Sequence, residues 1–247
     1  MLNQAERERY DRQIFIPDFG EAGQEKLKLA KVFIAGNGGL GCPIALYLAA
    51  AGVGTLRIVD NGSVELSNLN RQILHWTEDV GRRKVDSTLA KLPRLNPGVK
   101  LDALYDTITE KNIAALVDDS DLIIDAMDNM PVRFLLNRTA LARKIPYIYG
   151  AVYGFEGRAT TIIPGRTVCL GCFCQEYLPP AKFPVVGATP AVIAAIQATE
   201  DIKYIVGLGD LLANRLLIYD GLRMQFAEMA LAPDPDCAYC GSRAAAK

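Results

Sequence analysis

One continuous unit, residues 32–60, constrains the fold of this chain more than any other stretch. It begins with a short apolar run that contains β-branched residues, as a buried parallel strand does. A turn with Gly36, Gly38 and Gly41 in the pattern G-x-G-x-x-G follows, and then an apolar helical segment and a second apolar strand that ends at Asp60. This order predicts a nucleotide site, in which glycines let the backbone approach phosphates at a helix N-terminus and the acid binds the ribose. The alternative is a tight strand-to-helix turn without a ligand.

A membrane-spanning helix is an alternative interpretation of this unit, because residues 32–56 carry no charge and are long enough to cross a bilayer. Six glycines, Asn37 and Pro43 interrupt this run. A strand, a turn and a helix that are buried inside an α/β protein explain it better.

The composition bounds the partners and the compartment. At 247 residues, with 50% hydrophobic and 22% charged residues, the chain suits one globular domain. The net charge of −1 gives no reason to expect nucleic acid as a partner. The charged N-terminus has no apolar signal region, which predicts a cytoplasmic protein without a membrane partner. In such a reducing compartment, six cysteines indicate metal binding or reactivity more than disulfides.

The alternation of strands and helices predicts a Rossmann-like, doubly wound, mostly parallel α/β sheet, which antiparallel strands extend towards the C-terminus. Helices are expected at 4–12, 21–30, 42–52, 81–92, 109–117 (with Thr109 as N-cap), 131–144 and 191–206, and further strands at 99–105, 121–126, 146–151, 158–163, 216–220 and 224–231. We expect a single domain with N-terminal helices in 1–30, a nucleotide-binding core in 31–163, and a crossover loop, a helix, terminal strands and zinc knuckles in 164–247.

Two polar segments lie where parallel strands are predicted to end. Residues 61–72 follow the first acid and include Asn68 and Arg71, while Lys84 lies in the next helix; together they suit phosphate oxygens, although each alone reads as a solvated surface residue. Asp128 and Asn129 follow the strand at 121–126, at the sheet edge where open α/β folds bind ligands. Asp128 is therefore expected to hold Mg²⁺ against a triphosphate, with a helix cap as the alternative role.

Two C-x-x-C knuckles predict a structural zinc site with the four ligands Cys169, Cys172, Cys237 and Cys240. Redox motifs are the alternative, but both knuckles lie in turn-rich segments rather than at a helix N-terminus. Cys42 is then expected in the core beneath the glycine turn, and Cys174 is a spare thiol or a packing residue. His75 is the only histidine and therefore the only candidate base, so no Ser/His/Asp set can be built elsewhere in the chain, and a structural role for His75 is favoured.

In these motifs the chain resembles the MoeB/ThiF/HesA adenylyltransferases, which are relatives of the ubiquitin-activating enzymes. The resemblance covers nearly the whole chain and rests on residues 9–14, the glycine turn, Asp60, residues 64–72, residues 81–84, Asp128-Asn129 and both cysteine pairs. It implies a homodimer that uses ATP and Mg²⁺, with Zn²⁺ in the knuckles, to convert the C-terminal carboxylate of a small ubiquitin-like sulfur carrier, ending in Gly-Gly, into an acyl-adenylate.

The resemblance also implies roles for individual residues. Asp60 would bind the ribose, Asp128 would hold Mg²⁺, and Arg12 would reach into the partner subunit's site. Asn68, Arg71 and Lys84 would bind the phosphates, so that Arg12, Arg71, Lys84 and Asp128 form the catalytic set. The full set expected around ATP is Gly36, Gly38, Gly39, Gly41, Asp60, Ser67, Asn68, Leu69, Asn70, Arg71, Lys84, Asp128 and Asn129.

The chain departs from some relatives, because residues 178–199 contain no cysteine and the sequence ends at 247, which leaves no room for a sulfurtransferase domain. Both features favour adenylation alone, with sulfur supplied by a separate donor protein. Cys174 is expected to stay at the knuckle, away from the α-phosphate. A Rossmann oxidoreductase, a non-catalytic zinc-stabilised module, and an enzyme that adenylates a peptide or a modified tRNA base remain alternatives.

Overall fold

The structure, a computed structural model, describes residues 1–175 and 183–241. The strands within these residues are β1 (Lys31–Ala35), β2 (Thr55–Val59), β3 (Lys100–Leu104), β4 (Leu122–Asp125), β5 (Tyr147–Tyr153), β6 (Glu156–Ile162), β7 (Arg215–Asp220) and β8 (Gln225–Ala230). The α-helices are α1 (Gln4–Arg9), α2 (Asp11–Ile14), α3 (Gly20–Leu29), α4 (Gly41–Ala51), α5 (Lys84–Leu95), α6 (Ile113–Val117), α7 (Met130–Arg143), α8 (Leu170–Phe173) and α9 (Ala188–Val206).

The strands form one sheet in the order β3-β2-β1-β4-β5-β6-β7-β8. The pairs from β3 to β5 are parallel, and those from β5 to β8 are antiparallel. The predicted fold class, including the antiparallel extension, is therefore confirmed. The strand order reverses between β1 and β4, and ligands bind outside the carboxyl ends of the strands at such a switch point.

Both faces of the parallel strands are covered by helices, as all-parallel sheets require. Successive side chains of β1 point to opposite faces, so Val32 packs in the cluster with α3, α4 and α9, whereas Phe33 packs in the cluster with α6, α7 and α8. This explains why the strand reads as a continuous apolar run. None of the described helices is long and apolar enough to span a bilayer, and the uncharged run at 32–56 is a strand, a turn and a helix.

Two helices, α5 and α6, begin later than predicted. α5 begins at Lys84, not at Gly81, because Gly81 has a φ of +89° and the next residues pair with the segment at 63–64. It also continues through Pro93 to Leu95, since a proline in the last turn removes only one late hydrogen bond. α6 begins at Ile113 because the side chain of Asn112 binds Thr109 and closes a separate turn, so Thr109 is not its N-cap.

Other boundaries of the elements also differ from the prediction. The N-terminal helix is interrupted at Tyr10, and α9 starts at Ala188, three residues before the expected position. The segment predicted as loop contains the short helix α8. Part of the predicted loop, residues 176–182, lies outside the described part of the chain.

Asp201 in α9 predicts a pH-dependent stability. It is fully buried, and within the described residues neither carboxylate oxygen has a hydrogen-bond partner, so burial raises its pKa well above the ordinary value. The folded state therefore binds a proton that the unfolded state releases near pH 4, and stability falls as the pH rises above that point. The Asp201→Asn variant should gain stability over the parent as the pH is raised from 4 towards neutrality, measured by urea unfolding. An identical pH profile for both proteins would contradict this expectation.

Candidate functional site

The glycine turn between β1 and α4 has a conformation that only glycine supports at two positions. Gly36 has a φ of +99°, in the left-handed region that side chains avoid. A Cβ on Gly41 would lie 2.1 Å from the main-chain oxygen of Gly36, so the helix can start this close to the strand only without a side chain. A Cβ on Gly38, in contrast, would meet only Gln72 Nε2, at 3.7 Å, among residues 1–175 and 183–241. The turn therefore leaves its backbone open on one side.

That side faces a cavity of about 1210 Å³ at the switch point between β1 and β4. This volume accommodates a nucleotide together with part of a second substrate. The predicted residues that line it are Gly36, Gly38, Gly39, Asp60, Ser67, Asn70, Arg71, Lys84, Asp128 and Asn129. The other four, Arg12, Gly41, Asn68 and Leu69, are not among its lining residues.

Asp60 follows β2, and its carboxylate connects the glycine turn with the segment that follows β2. It accepts hydrogen bonds from the backbone N–H groups of Asn37 (2.8 Å) and Gly62 (2.7 Å). Lys84 begins α5 beside it, because its backbone N–H binds the carbonyl of Gly62 and its Nζ lies 3.2 Å from the Cβ position of that glycine. Each carboxylate oxygen has a second lone pair, so Asp60 can still accept ribose hydroxyls.

Arg71 lies across the glycine turn from Asp60. Its Nη1 donates to the carbonyl of Ser67 (3.1 Å) and to Asn70 Oδ1 (2.9 Å), and its side-chain carbons lie 3.4 Å from the Cβ position of Gly39. The residue before α9 packs against the segment that carries Arg71, since a Cβ on Gly187 would lie 1.9 Å from the carbonyl oxygen of Asn70. A long-range contact thus holds the arginine over the glycine backbone, where phosphates would lie.

Three of the predicted residues that do not line the cavity are Asn68, Leu69 and Arg12. The buried Asn68 accepts a hydrogen bond from the backbone N–H of Glu65 and shapes the turn that carries Arg71, while Leu69 is half-buried beside it. Arg12 lies exposed on α2, away from the cavity of its own chain.

Asp128 and Asn129 differ in what they do in the turn between β4 and α7. Asn129 Oδ1 accepts from the backbone N–H of Val132 (3.1 Å) and caps α7. The alternative role considered for Asp128, a helix cap, is therefore filled by its neighbour. Asp128 is exposed in the cavity, and among the described residues its carboxylate has one long contact, at 3.5 Å from Asn129 Nδ2, so its oxygens suit a hard cation such as Mg²⁺.

Several residues that line the cavity were not predicted, because nothing in the sequence around them indicates a site. The other end of the cavity is formed by Tyr149, Tyr153, Glu156, Arg158 and Cys174 together with residues 183–185. The alternation of side chains along β5 and β6 tells which residues share a face of each strand. Only the pairing of Ala151 with Arg158 shows that the two strands together form one wall of the cavity.

The expected place of Cys174 is wrong. It leaves the cysteine cluster and lines the cavity, beside Tyr149 and Arg133. The reason is the short helix α8, which turns the chain after Cys172 so that the next cysteine points to β5. Burial raises the pKa of the Cys174 thiol above its ordinary value, with the neighbouring tyrosine and arginine acting in the opposite direction.

His75 has the expected structural environment. It is buried beneath the glycine turn, with Nδ1 3.0 Å from Ser87 Oγ and Nε2 3.3 Å from the carbonyl of Asn37 and 3.6 Å from Cys42 Sγ. Burial lowers the pKa of His75 and raises that of Cys42 to about 12, so both are neutral near pH 7. Neither lines the cavity.

The four cysteines of the knuckles converge although 64 residues separate the two pairs. Their sulfurs lie within 4.8 Å of one another, with 3.5 Å between Cys169 and Cys237 and 3.4 Å between Cys172 and Cys240. These distances are too long for disulfides, whereas a tetrahedral zinc with bonds of about 2.3 Å separates its sulfurs by about 3.8 Å. The cluster can therefore bind a metal ion, and it joins the C-terminal segment to α8.

The fold and cavity together define a doubly wound α/β protein with a nucleotide-type glycine turn at its switch point. The sequence profile of the ThiF family matches residues 10–239. The chain is 39% identical over 246 residues to the SAMP-activating enzyme E1 of Haloferax volcanii, which covers 97% of this chain and 91% of that protein. It is 38% identical over 247 residues to the sulfur carrier protein adenylyltransferase of Thermus thermophilus, which covers 96% and 91%.

Solved structures agree with these sequence relatives. The crystal structure of Escherichia coli MccB with ATP superimposes with a TM-score of 0.84 at 26% identity, over 97% of this chain and 75% of that one. The chain therefore belongs to the ThiF family, and the resemblance inferred from its motifs is confirmed.

Proposed function

We propose that this protein is an ATP-dependent adenylyltransferase that activates the C-terminal glycine carboxylate of a small ubiquitin-like sulfur carrier. The observation that carries the proposal is the cavity, which gathers Asp60, Arg71, Lys84 and Asp128 around an open glycine turn. The names of the two sequence relatives supply the reaction and the class of substrate.

The reaction needs positioning and positive charge more than proton transfer. A carboxylate oxygen of the carrier's last glycine attacks the α-phosphorus of ATP, an acyl–oxygen–phosphorus bond forms, the bond to the β-phosphate oxygen breaks, and pyrophosphate leaves. The carboxylate is already ionised at pH 7, so no general base is required. This agrees with a chain whose only histidine lies buried below the cavity floor.

Four cavity residues, and Asn68 beside them, have proposed roles in that step. Asp60 binds the ribose, Asn68 supports the turn beside the phosphates, and Arg71 and Lys84 stabilise the charge that grows on pyrophosphate. Asp128 holds Mg²⁺, which would neutralise the phosphates and withdraw electrons from the phosphorus. The second end of the cavity receives the carrier's tail, and the cysteine cluster binds Zn²⁺ in a structural role.

The direct test is ATP–pyrophosphate exchange with purified carriers that end in Gly-Gly. We expect exchange with the intact carrier and none with the same carrier lacking its last two residues. Exchange that is equally fast with free peptides would assign another carboxylate substrate, and exchange that needs no carrier, or turnover of a nicotinamide cofactor, would overturn the proposal. Sulfur transfer should need a separate donor protein.

A homodimer is part of the proposal, with Arg12 acting in the partner subunit's site. Its support is that Arg12 lies exposed on α2 and does not line its own cavity. Arg12→Ala and Asp128→Ala proteins should each be inactive, but a mixed dimer should regain part of the exchange activity, because one of its two sites has both residues intact. Mixed dimers isolated with two different tags provide the measurement, and no recovery in them would argue against action between subunits.

A further inference from the structure

The turn that carries Asp128 is held by buried groups rather than by its own residues. The backbone N–H of Met127 donates to Asp125 Oδ1 (2.9 Å), and the carbonyl of Met127 accepts from Arg133 Nη2 (2.6 Å). Both polar groups of the residue preceding Asp128 are therefore occupied by side chains of opposite charge. The peptide before Asp128 cannot rotate without breaking one of these bonds.

The arginine also reaches the opposite wall of the cavity. The same Nη2 donates to the carbonyl of Gly150 in β5 (2.9 Å), while Nε lies 3.2 Å from Asp125 Oδ2 and the guanidinium carbon lies 5.3 Å from the centre of the Tyr149 ring. Arg133 is only 8% exposed. One nitrogen atom thus joins the turn on the nucleotide side to the strand that forms the other end of the cavity.

The aspartate that pairs with the arginine is itself held by two further elements, one at its side chain and one at its main chain. Tyr147 in β5 donates its O–H to Asp125 Oδ2 (2.8 Å), and Gln197 in α9 donates to the main-chain oxygen of Asp125 (2.7 Å). Asp125 is completely buried. Because a buried ion pair adds little net stability compared with apolar side chains of the same volume, its main effect here is to specify positions.

We propose that Arg133 is a positioning residue that sets the place of Asp128 relative to β5 by holding the carbonyls of Met127 and Gly150 together. This inference rests on the proposed function, in which Asp128 binds Mg²⁺ and β5 borders the path of the carboxylate substrate. Arg133 also lines the cavity, but its Nη2 donates to two main-chain carbonyls, so in this proposal it acts through the turn and not on a reacting group. A shift of about 1 Å in such a turn can cost a factor of about 100 in rate.

The Arg133→Lys variant tests this role, because lysine keeps the charge beside Asp125 but lacks the planar fork that reaches several acceptors. We expect the affinity for ATP with Mg²⁺ to fall about tenfold by isothermal titration, while the affinity for ATP in EDTA stays within about twofold. The rate of exchange at saturating ATP should fall by about 10- to 100-fold.

Arg143→Lys is the matched control on the same helix. Arg143 also donates to two main-chain carbonyls, those of Ala114 and Asp118, but these lie in and after α6, away from the cavity. This variant should match the parent in its Mg²⁺ dependence. If Arg133→Lys fails to fold, Tyr147→Phe removes one support of Asp125 and should weaken Mg²⁺-dependent binding in the same direction by about threefold.

The outcomes separate this inference from the proposed function. Binding is measured without a carrier, so a parent that binds ATP with Mg²⁺ but never exchanges pyrophosphate would overturn the function and leave the positioning role testable by titration. A folded Arg133→Lys protein with the parent's Mg²⁺ dependence would overturn the positioning role alone. A parent whose ATP affinity does not respond to Mg²⁺ would overturn both.

Discussion

Replacing Asp128 with alanine should abolish carrier-dependent pyrophosphate exchange, with a loss of about 1000-fold or more. The carboxylate is the group proposed to hold Mg²⁺, and a metal ion on transferring phosphates is worth several kcal/mol of transition-state stabilisation, where about 4 kcal/mol corresponds to 1000-fold. The fold should survive, because Asn129 rather than Asp128 caps α7. The measurement is exchange of labelled pyrophosphate at saturating ATP, together with the Tm of each protein.

Asp119→Ala is a suitable control for that experiment. Asp119 precedes β4, at the opposite end of the strand from Asp128, and its side chain forms an exposed ion pair with Lys31. Exposed pairs of this kind contribute about 0–1 kcal/mol, so both stability and exchange should stay near the parent's. Near-parent exchange in the Asp128→Ala protein would refute the assignment of Asp128.

Removing the metal from the cysteine cluster should cause the largest change in stability. We expect one Zn²⁺ per chain by elemental analysis, and its loss by chelation or in Cys237→Ser should lower the Tm. A bound ion would join α8 to the C-terminal segment, whose Tyr239 packs against Phe134 of α7 at 5.2 Å between ring centres. The free energy of zinc binding reaches about 10 kcal/mol in small domains. The loss of even ~3 kcal/mol of stability would lower the Tm of a chain this size by roughly 6–12 °C.

Cys174→Ser is the matched control for the metal. It lies two residues after a member of the cluster but outside it, so the variant should keep one Zn²⁺ per chain. Protein that is freshly purified without zinc, or a Cys237→Ser variant with the parent's metal content, would contradict the assignment. A zinc content that falls in Cys174→Ser would instead mean that the ligand set is wrong.

The catalytic and ATP-binding roles stay predictions, but the placement of their residues shows where sequence reasoning succeeds. Gly36 and Asp60 are close in sequence to the strands that carry them, so a pattern of about 30 residues contains the information that brings them together. The cysteine pairs are equally informative, because sulfur spacing within each knuckle restricts the ligand geometry. Arg133 gave no such signal, since an arginine in the first turn of a helix is ordinary until its buried partners are known.

The sequence by itself determined the elements whose signals are local: apolar β-branched strands, the glycine turn before α4, the acid after β2, and the two knuckles. Only the tertiary structure decided which strands are neighbours. The parallel pairing of β1 with β4 brings Asp128 to the glycine turn, the antiparallel pairing of β5 with β6 forms the second wall, and α8 turns Cys174 into the cavity. The physical reason is that strand order and buried hydrogen bonds depend on contacts between residues far apart in sequence, which no local propensity encodes.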